Sequence, residues 1–425
     1  MVQAFGDRLP RGVNGALLFA LLTLAVRLGA VWLLPIEPLQ PDYAEYHALA
    51  QTMAEEGTYG FGRHLDGVPE LKASYWPFLY ERHDAMFRPP GYPLFMLVIS
   101  WFFGPSHLAL ALALACVEAL TAFVLFRLVE RHYGPKAATL ATLLFAFSPG
   151  GTYLVTKLAR EALLTLATLV IVFAFFRARQ SGRVALAFGI GLLAGLATYV
   201  KETALLLVIS AAAWCVFEAW RTHQPRVLRL AVAVCLGAGL MISPWIVRNS
   251  LLKHKPMGFT CVGFQWYVSL VPGGGAWRLK GSPDERAALD PYRAADCADV
   301  GDRLAKVTQL YLAEHPTEAA MTALRNAAWF WSPVPRWTSM KSPSPLQRVS
   351  MAETAAVLLL SAIGFWQRRR EPFTQFVALM LAITTVAHLT SLGVPRFRVP
   401  FEPLLFLFAA LAVESWLNRR KRAPA

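Results

Sequence analysis

The chain has 425 residues, 56% of them hydrophobic, and a mean hydropathy of +0.43. That apolarity excludes an ordinary soluble domain, whose surface would carry large exposed apolar patches. The net charge of +14 does not mark a nucleic-acid binder, because the basic residues stand in short clusters between apolar runs, as anchors of membrane helices do.

Zinc-ligand spacing, a Walker loop and a Rossmann glycine pattern are all missing from the sequence, and Gly273–Gly275 reads as plain loop. Val13–Leu34 is expected to be a retained span, longer than a signal-peptide core and with no small-x-small site before Pro35. Arg8 and Arg11 put the N-terminus in the cytoplasm, which delivers Pro35–Gly104 to the outer face. That loop holds Asp42, Glu45 and His47 in PDYAEYH, a helical-looking run over Tyr43–Glu55, and FRPPGYP at Phe87–Pro93. Gly91–Phe103 is short for a crossing and reads as an interfacial or re-entrant helix, with Trp101 and the phenylalanines at headgroup depth.

Further crossings are expected at Pro105–Val129, Ala137–Tyr153, Ala162–Phe176, Val184–Val200, Thr203–Trp220 and Leu230–Val247. A second outer loop runs from Arg248 to about Arg348, and Ser350–Trp366, Phe373–Leu392 and Pro400–Trp416 complete the chain. In the second loop, Pro256–Gly281 reads as irregular or short-stranded, while Asp299–His315 and Thr317–Trp331 carry helical spacing. The expectation is an all-α polytopic membrane protein of about ten crossings, with both termini cytoplasmic and every inner loop basic. Three units follow: a membrane core over 1–247 with its outer loop at 35–104, the large outer loop 248–348, and the last helices with a basic tail over 349–425. Cys116, Cys215 and Cys235 fall in apolar spans. Cys261 and Cys297 share the second outer loop and would form a disulfide if it faces an oxidising compartment and the geometry allows.

Several residues have chemistry to offer. Asp42 follows the first span closely and has two readings, a general base at the membrane surface or the N-cap of the helix behind it. Glu45 lies one helical turn on. Glu161, at another outer turn beside Lys157 and Arg160, reads as a metal or acceptor ligand or as a local ion pair, and the Lys201–Glu202 pair has the same two readings. Arg396 and Arg398 in GVPRFRVPFEP stand at an outer boundary against the positive-inside trend, where guanidiniums suit a lipid-linked phosphate. Arg88 and Arg248 are weaker candidates of that type. Arg27 and Glu118, inside spans, should face the bundle interior and pair with each other.

The ordered set PDYAEYHALA, RPPGYPLFM, RLVERHYGP, KLAREALL, SPWIVRN and PRFRVPFEP resembles the GT-C membrane glycosyltransferases. The likeness is to bacterial proteins of the family 39 type, relatives of protein O-mannosyltransferases and lipid A aminoarabinose transferases, and it covers Val13 to about Trp220 and the last two helices. The resemblance implies inverting transfer of a sugar from a polyprenyl-phosphate donor to a hydroxyl of a glycan, lipid or protein acceptor. It implies Asp42 as general base, Glu161 (with Glu45) as the further acid, and Arg396, Arg398, Lys201 and Arg88 around the donor phosphate. A divalent cation would be an optional cofactor. The implied setting is a bacterial inner (plasma) membrane with the site extracytoplasmic, among membrane lipids and without nucleic acid. Two departures stand out: Asp42 is followed by Tyr43 where the protein mannosyltransferases have an adjacent Asp-Glu, and Glu161 stands where relatives often have Asp. The competing reading is a transporter or lipid flippase, in which Arg27, Glu118 and Lys201–Glu202 would line a path. Long outer loops, no internal repeat and acids gathered at outer turns favour the enzyme.

Overall fold

The computed structural model describes residues 10–38, 42–64, 85–86, 88–260, 262–271, 297–334 and 345–420. Among these residues every regular element is helical and no strand occurs. Helix α1 covers Gly12–Leu33, α2 Asp42–Glu56, α3 Gly91–Phe103 and α4 His107–Tyr133. Helices α5 (Pro135–Phe147) and α6 (Pro149–Thr156) form a pair bent by 44°. Then come α7 (Glu161–Ser181), α8 (Val184–Val200), α9 (Leu205–Thr222), α10 (Leu228–Lys253) and α11 (Val262–Leu270). Helices α12 (Cys297–Glu314), α13 (Pro316–Trp331), α14 (Pro345–Arg368), α15 (Pro372–Ala387) and α16 (Glu402–Arg420) follow, with a 3₁₀ turn at Pro395–Phe401 before the last.

Among the described residues six segments are long and apolar enough to cross a bilayer, seven if the bent pair counts as one. Helices α8 and α15 are apolar but shorter. Each expected crossing has a helix, and the chain is an integral membrane protein with an all-α polytopic fold. Three expectations change. Ala137–Tyr153 is two helices, because Pro149 has no N–H to continue the ladder and Ser148 caps the second helix through Gly150 N (3.1 Å). The crossing expected to run to Leu392 stops at Ala387. The supposedly irregular Pro256–Gly281 contains α11 in its described part. Cys261 and Cys297, the candidates for a disulfide, lie outside the described side chains. Cys215 is buried, whereas Cys116 and Cys235 are on exposed faces.

Packing uses small residues, as it must where lipid supplies no hydrophobic drive between helices. Helix α8 lies along α10 with their backbones nearly touching: a Cβ on Gly195 would stand 2.7 Å from Met241 Cβ. Gly191 and Gly237 meet the facing backbone in the same way. Elsewhere α1 lies along α4, and α14 along α16, where Phe365 stacks on Phe408 at 3.8 Å.

The intramembrane charges pair as expected. Arg27 Nη2 is 3.5 Å from Glu118 Oε2, both fully buried, and the guanidinium also donates to the carbonyls of Phe145 and Ala146 (2.9 Å each). Those carbonyls belong to the last turn of α5, where Pro149 has no N–H to offer Phe145 and Ser148 N reaches its carbonyl at 3.2 Å instead. Arg27 is therefore a side-chain cap on a broken span.

Two ends of the bundle differ in chemistry. At one, Arg179 forms a fork with Glu218, Arg221 Nη1 donates to Gln375 (2.9 Å), and Tyr133 reaches Glu371. At the other, α7, α9 and α16 begin and α8 ends, and there Asp42, Glu161, Lys201 and Arg396 collect.

Candidate active site

The site is assembled from five stretches far apart in sequence. Helix α2 presents Asp42, Glu45 and Tyr46, whose spacing of three and four residues places them on one helical face. Arg88 comes from the chain just before α3. Arg160 and Glu161 sit at the start of α7, Lys201 and Glu202 at the junction of α8 and α9, and Arg396 in the 3₁₀ turn.

Asp42 is the centre. Its Oδ1 accepts from Arg88 Nη2 at 2.9 Å and its Oδ2 from Arg396 Nη2 at 2.7 Å. Arg88 also pairs through Nε with Glu45. Arg396 Nε lies 3.1 Å from Glu161 Oε1, off the hydrogen-bond axis, and Glu161 Oε1 accepts from Lys201 Nζ at 3.0 Å. Lys201 in turn stands 3.7 Å above the Phe397 ring. Arg160 donates to the carbonyl of Val200 (3.2 Å) and faces Glu202 at 3.9 Å. The Tyr46 ring lies between the guanidiniums of Arg88 and Arg160, 5.3 and 5.2 Å from its centroid.

Burial within this set is uneven. Glu161 and Lys201 are 1% and 2% exposed, Arg396 and Arg88 12% and 14%, and Asp42 23%. Asp42 is thus the most exposed of the three carboxylates that Arg88 and Arg396 hold, and Glu202, 37% exposed, faces only Arg160 among the cations of the set. Burial raises its pKa, but Arg396, Arg88 and Arg160 together outweigh that and hold it well below the ordinary carboxylate value. Tyr46 keeps its proton, because burial raises its pKa more than the neighbouring guanidiniums lower it.

Among the described residues, Asp42, Glu45, Glu161 and Glu202 are thus matched one for one by Arg88, Arg160, Lys201 and Arg396. This donor set does not fit a divalent ion. A dication would have to enter among cations that already hold the carboxylates, and no group of three or more His, Cys, Asp or Glu able to hold a metal occurs among the described residues.

Of the residues expected at the site, Asp42, Glu45, Arg88, Glu161, Lys201 and Arg396 come together. Arg398 does not. Its guanidinium, 3% exposed, donates to the carbonyls of Phe330 (2.9 Å) and Ser332 (3.1 Å) and faces Glu402 at 3.4 Å. A 3₁₀ turn has three residues per repeat, so positions two apart point about 120° away from each other. Arg248 binds the carbonyl of Ala85 (3.2 Å) near the end of the first loop.

The local readings also change. Glu161 is no local ion pair with Lys157, which reaches Glu37 instead, and Lys201 pairs with Glu161 rather than with its neighbour Glu202. Both oxygens of Asp42 go to guanidiniums, so pairing replaces the N-cap role. Tyr46 and Arg160 had no site role in the sequence reading. The signal for Tyr46 was there, four residues after Asp42 on the same face.

Similarity to known proteins agrees with this architecture. Residues 87–247 match the family described as dolichyl-phosphate-mannose-protein mannosyltransferase. The oligosaccharyltransferase AglB from Archaeoglobus fulgidus, solved with an inhibitory peptide and a dolichol-phosphate, superposes with a TM-score of 0.58 over 95% of this chain at 12% identity. The same oligosaccharyltransferase in its apo form gives 0.57, also over 95%, at 13% identity. The chain shares the fold of those oligosaccharyltransferases. It spans about half of their length (50% in each). ArnT from Cupriavidus metallidurans bound to undecaprenyl phosphate aligns at a TM-score of 0.44 and 14% identity, covering 93% of this chain and 77% of that one. No curated protein matches by sequence.

Proposed function

We propose that this protein is a GT-C glycosyltransferase that transfers a sugar from a polyprenyl-phosphate donor to an acceptor hydroxyl, with inversion, at the extracytoplasmic face of a bacterial inner membrane. The observation that carries the reading is the Asp42–Arg396 pair, 2.7 Å across and joined over 354 positions of sequence. It sets a partly exposed carboxylate beside a mostly buried cation.

That juxtaposition suits one displacement. The acceptor hydroxyl gives its proton to Asp42 as its oxygen attacks the anomeric carbon. The bond from that carbon to the phosphate oxygen breaks, and the polyprenyl phosphate leaves with the electron pair. Arg396, Lys201 and Arg88 meet the charge that grows on the phosphate, in an environment where such cations act strongly. Glu45 and Glu161 hold those cations in place. A single displacement inverts the anomeric centre. The arginine-rich helix ends lie away from the cluster, which supports an extracytoplasmic site.

The test is an in vitro assay with purified protein and a panel of polyprenyl-phosphate sugars, with the anomeric configuration of the product read by NMR. One donor should support transfer with inversion. Asp42→Asn should lower turnover about 100- to 10,000-fold, the range of a lost general base. Retained configuration or near-normal turnover in Asp42→Asn removes Asp42 from the chemistry.

A further inference from the structure

A carboxylate gripped by two guanidiniums is a poor base, and a cation already holding a carboxylate is a poor phosphate receptor. Both conditions hold here at once. Every cation of the cluster has its carboxylate: Arg88 has Asp42 and Glu45, Lys201 has Glu161, Arg160 has Glu202, and Arg396 has Asp42 and Glu161. Another anion entering this neutral set would leave an uncompensated buried charge unless one leaves.

Only one of the carboxylates is placed to leave. Glu161 and Glu45, 1% and 4% exposed, have no route to water. Glu202 pairs with Arg160 and has no contact with Arg396. Asp42 is 23% exposed, and its other oxygen is held by Arg88, which is itself fixed by Glu45 and stacked on Tyr46. If Asp42 lets go of Arg396 it stays oriented on Arg88. Arg396 would meanwhile offer two donors: Nη2, vacated, and Nε, which makes no aligned hydrogen bond.

We infer that Asp42 is the resident counterion of the donor-phosphate site, and that a lipid phosphate binds by displacing Asp42 from Arg396, which frees that oxygen to take the acceptor's proton. The inference rests on the glycosyl-transfer reading of the same cluster.

Charge balances through the cycle. The phosphodiester of the donor carries one negative charge and replaces the one of Asp42 on Arg396. On transfer Asp42 becomes neutral as the phosphate gains a second negative charge, so the product lipid is held more tightly than the donor. When Asp42 loses its proton the carboxylate recovers Arg396 and competes the product off. Donor binding and base activation are therefore one event, and water meets a disarmed base while the donor is absent.

The experiment measures the binding of a polyprenyl monophosphate to purified protein, by native mass spectrometry or thermophoresis, for the wild type, Asp42→Asn and Glu37→Gln. Asp42→Asn, which loses transfer, should bind the lipid about tenfold more tightly or better, the scale of removing one competing charge. Glu37→Gln, which removes an exposed pair away from the cluster, should match the wild type. Equal affinity in Asp42→Asn and the wild type overturns the counterion role and leaves the transfer reading standing. No binding by either overturns both.

If Asp42→Asn does not fold, the wild type supplies the answer. The acid limb of kcat reports the donor complex, and that of kcat/KM for the donor reports the free protein. The first should lie about one pH unit or more above the second, because bound donor takes a guanidinium from Asp42. Coincident limbs overturn the inference.

Discussion

At the scale of single residues, Arg396 and Arg398 have parted company. They are two positions apart, both arginine and both almost buried, yet one faces carboxylates in the site and the other closes the C-terminal end of α13. Arg396→Ala should raise the donor KM about tenfold or more, as expected when a cation leaves a phosphate site. Arg398→Ala should act through stability. It strands Glu402 and two carbonyls, a loss of about 3–5 kcal/mol for a broken buried pair. Donor kinetics and thermal unfolding, measured on both variants, separate the two roles. A stable Arg398→Ala protein with the donor KM raised as far as in Arg396→Ala would contradict this division. The sequence showed Asp42 and Arg396 because each stands out locally, one just past a span and the other against the charge trend. Tyr46 was within its reach, four residues after Asp42 on the same face, whereas Arg160 was not, because its place near the Tyr46 ring is a tertiary contact with no local signature.

At the scale of elements, the site depends on how closely α3 approaches α8. Gly91 opens α3, and a Cβ there would stand 2.6 Å from the carbonyl of Tyr199 and 2.8 Å from Val200 N. These are backbone atoms one and two residues before Lys201, and Gly91 follows Arg88 by one turn. The next residue, Tyr92, donates to the carbonyl of Leu158, whose φ of 52° is an unusual left-handed value for a leucine. That bond fixes the turn leading into Arg160 and Glu161. Gly91→Ala should therefore cost about 1–3 kcal/mol through overpacking, and should lower transfer more than the stability loss alone explains. Melting temperature and transfer rate check this together, and an unchanged rate would show that the α3–α8 contact does not position the site. The helices themselves were legible, since apolar runs of spanning length have few other interpretations in water. The break at Ser148 was not, although Pro149 signalled it, because apolarity continues across the bend and only the backbone is interrupted.

At the scale of the whole molecule, the two ends of the bundle make a claim about sidedness. Cysteines placed singly at positions 37 and 181, in a background with the five native cysteines replaced, report it directly. Both sites are exposed, whereas Glu45 is buried in the cluster and would label poorly. The Glu37→Cys protein should react with a membrane-impermeant maleimide from outside, and Ser181→Cys only after the membrane is opened. Labelling of Ser181→Cys in intact cells would reverse the topology and place the site in the cytoplasm. The expectation for this orientation rests on the basic loops, because charge at helix ends is set by the membrane and not by packing. The meeting of residues 42, 88, 161, 201 and 396 depends on how the helices pack, which no periodicity encodes.

The Asp42–Arg396 pair also bears on synthesis. A ribosome delivers Asp42, Arg88, Glu161 and Lys201 long before Arg396, and membrane helices join their bundle in roughly the order they emerge. Until the 3₁₀ turn before α16 arrives, Asp42 has only Arg88 of its two guanidinium partners, and the proposed phosphate site lacks Arg396. Under that proposal a chain stalled before residue 396 is a set of inserted helices without a lipid-phosphate receptor. Competence would then arrive only with residue 396, the same side chain that first silences the proposed base.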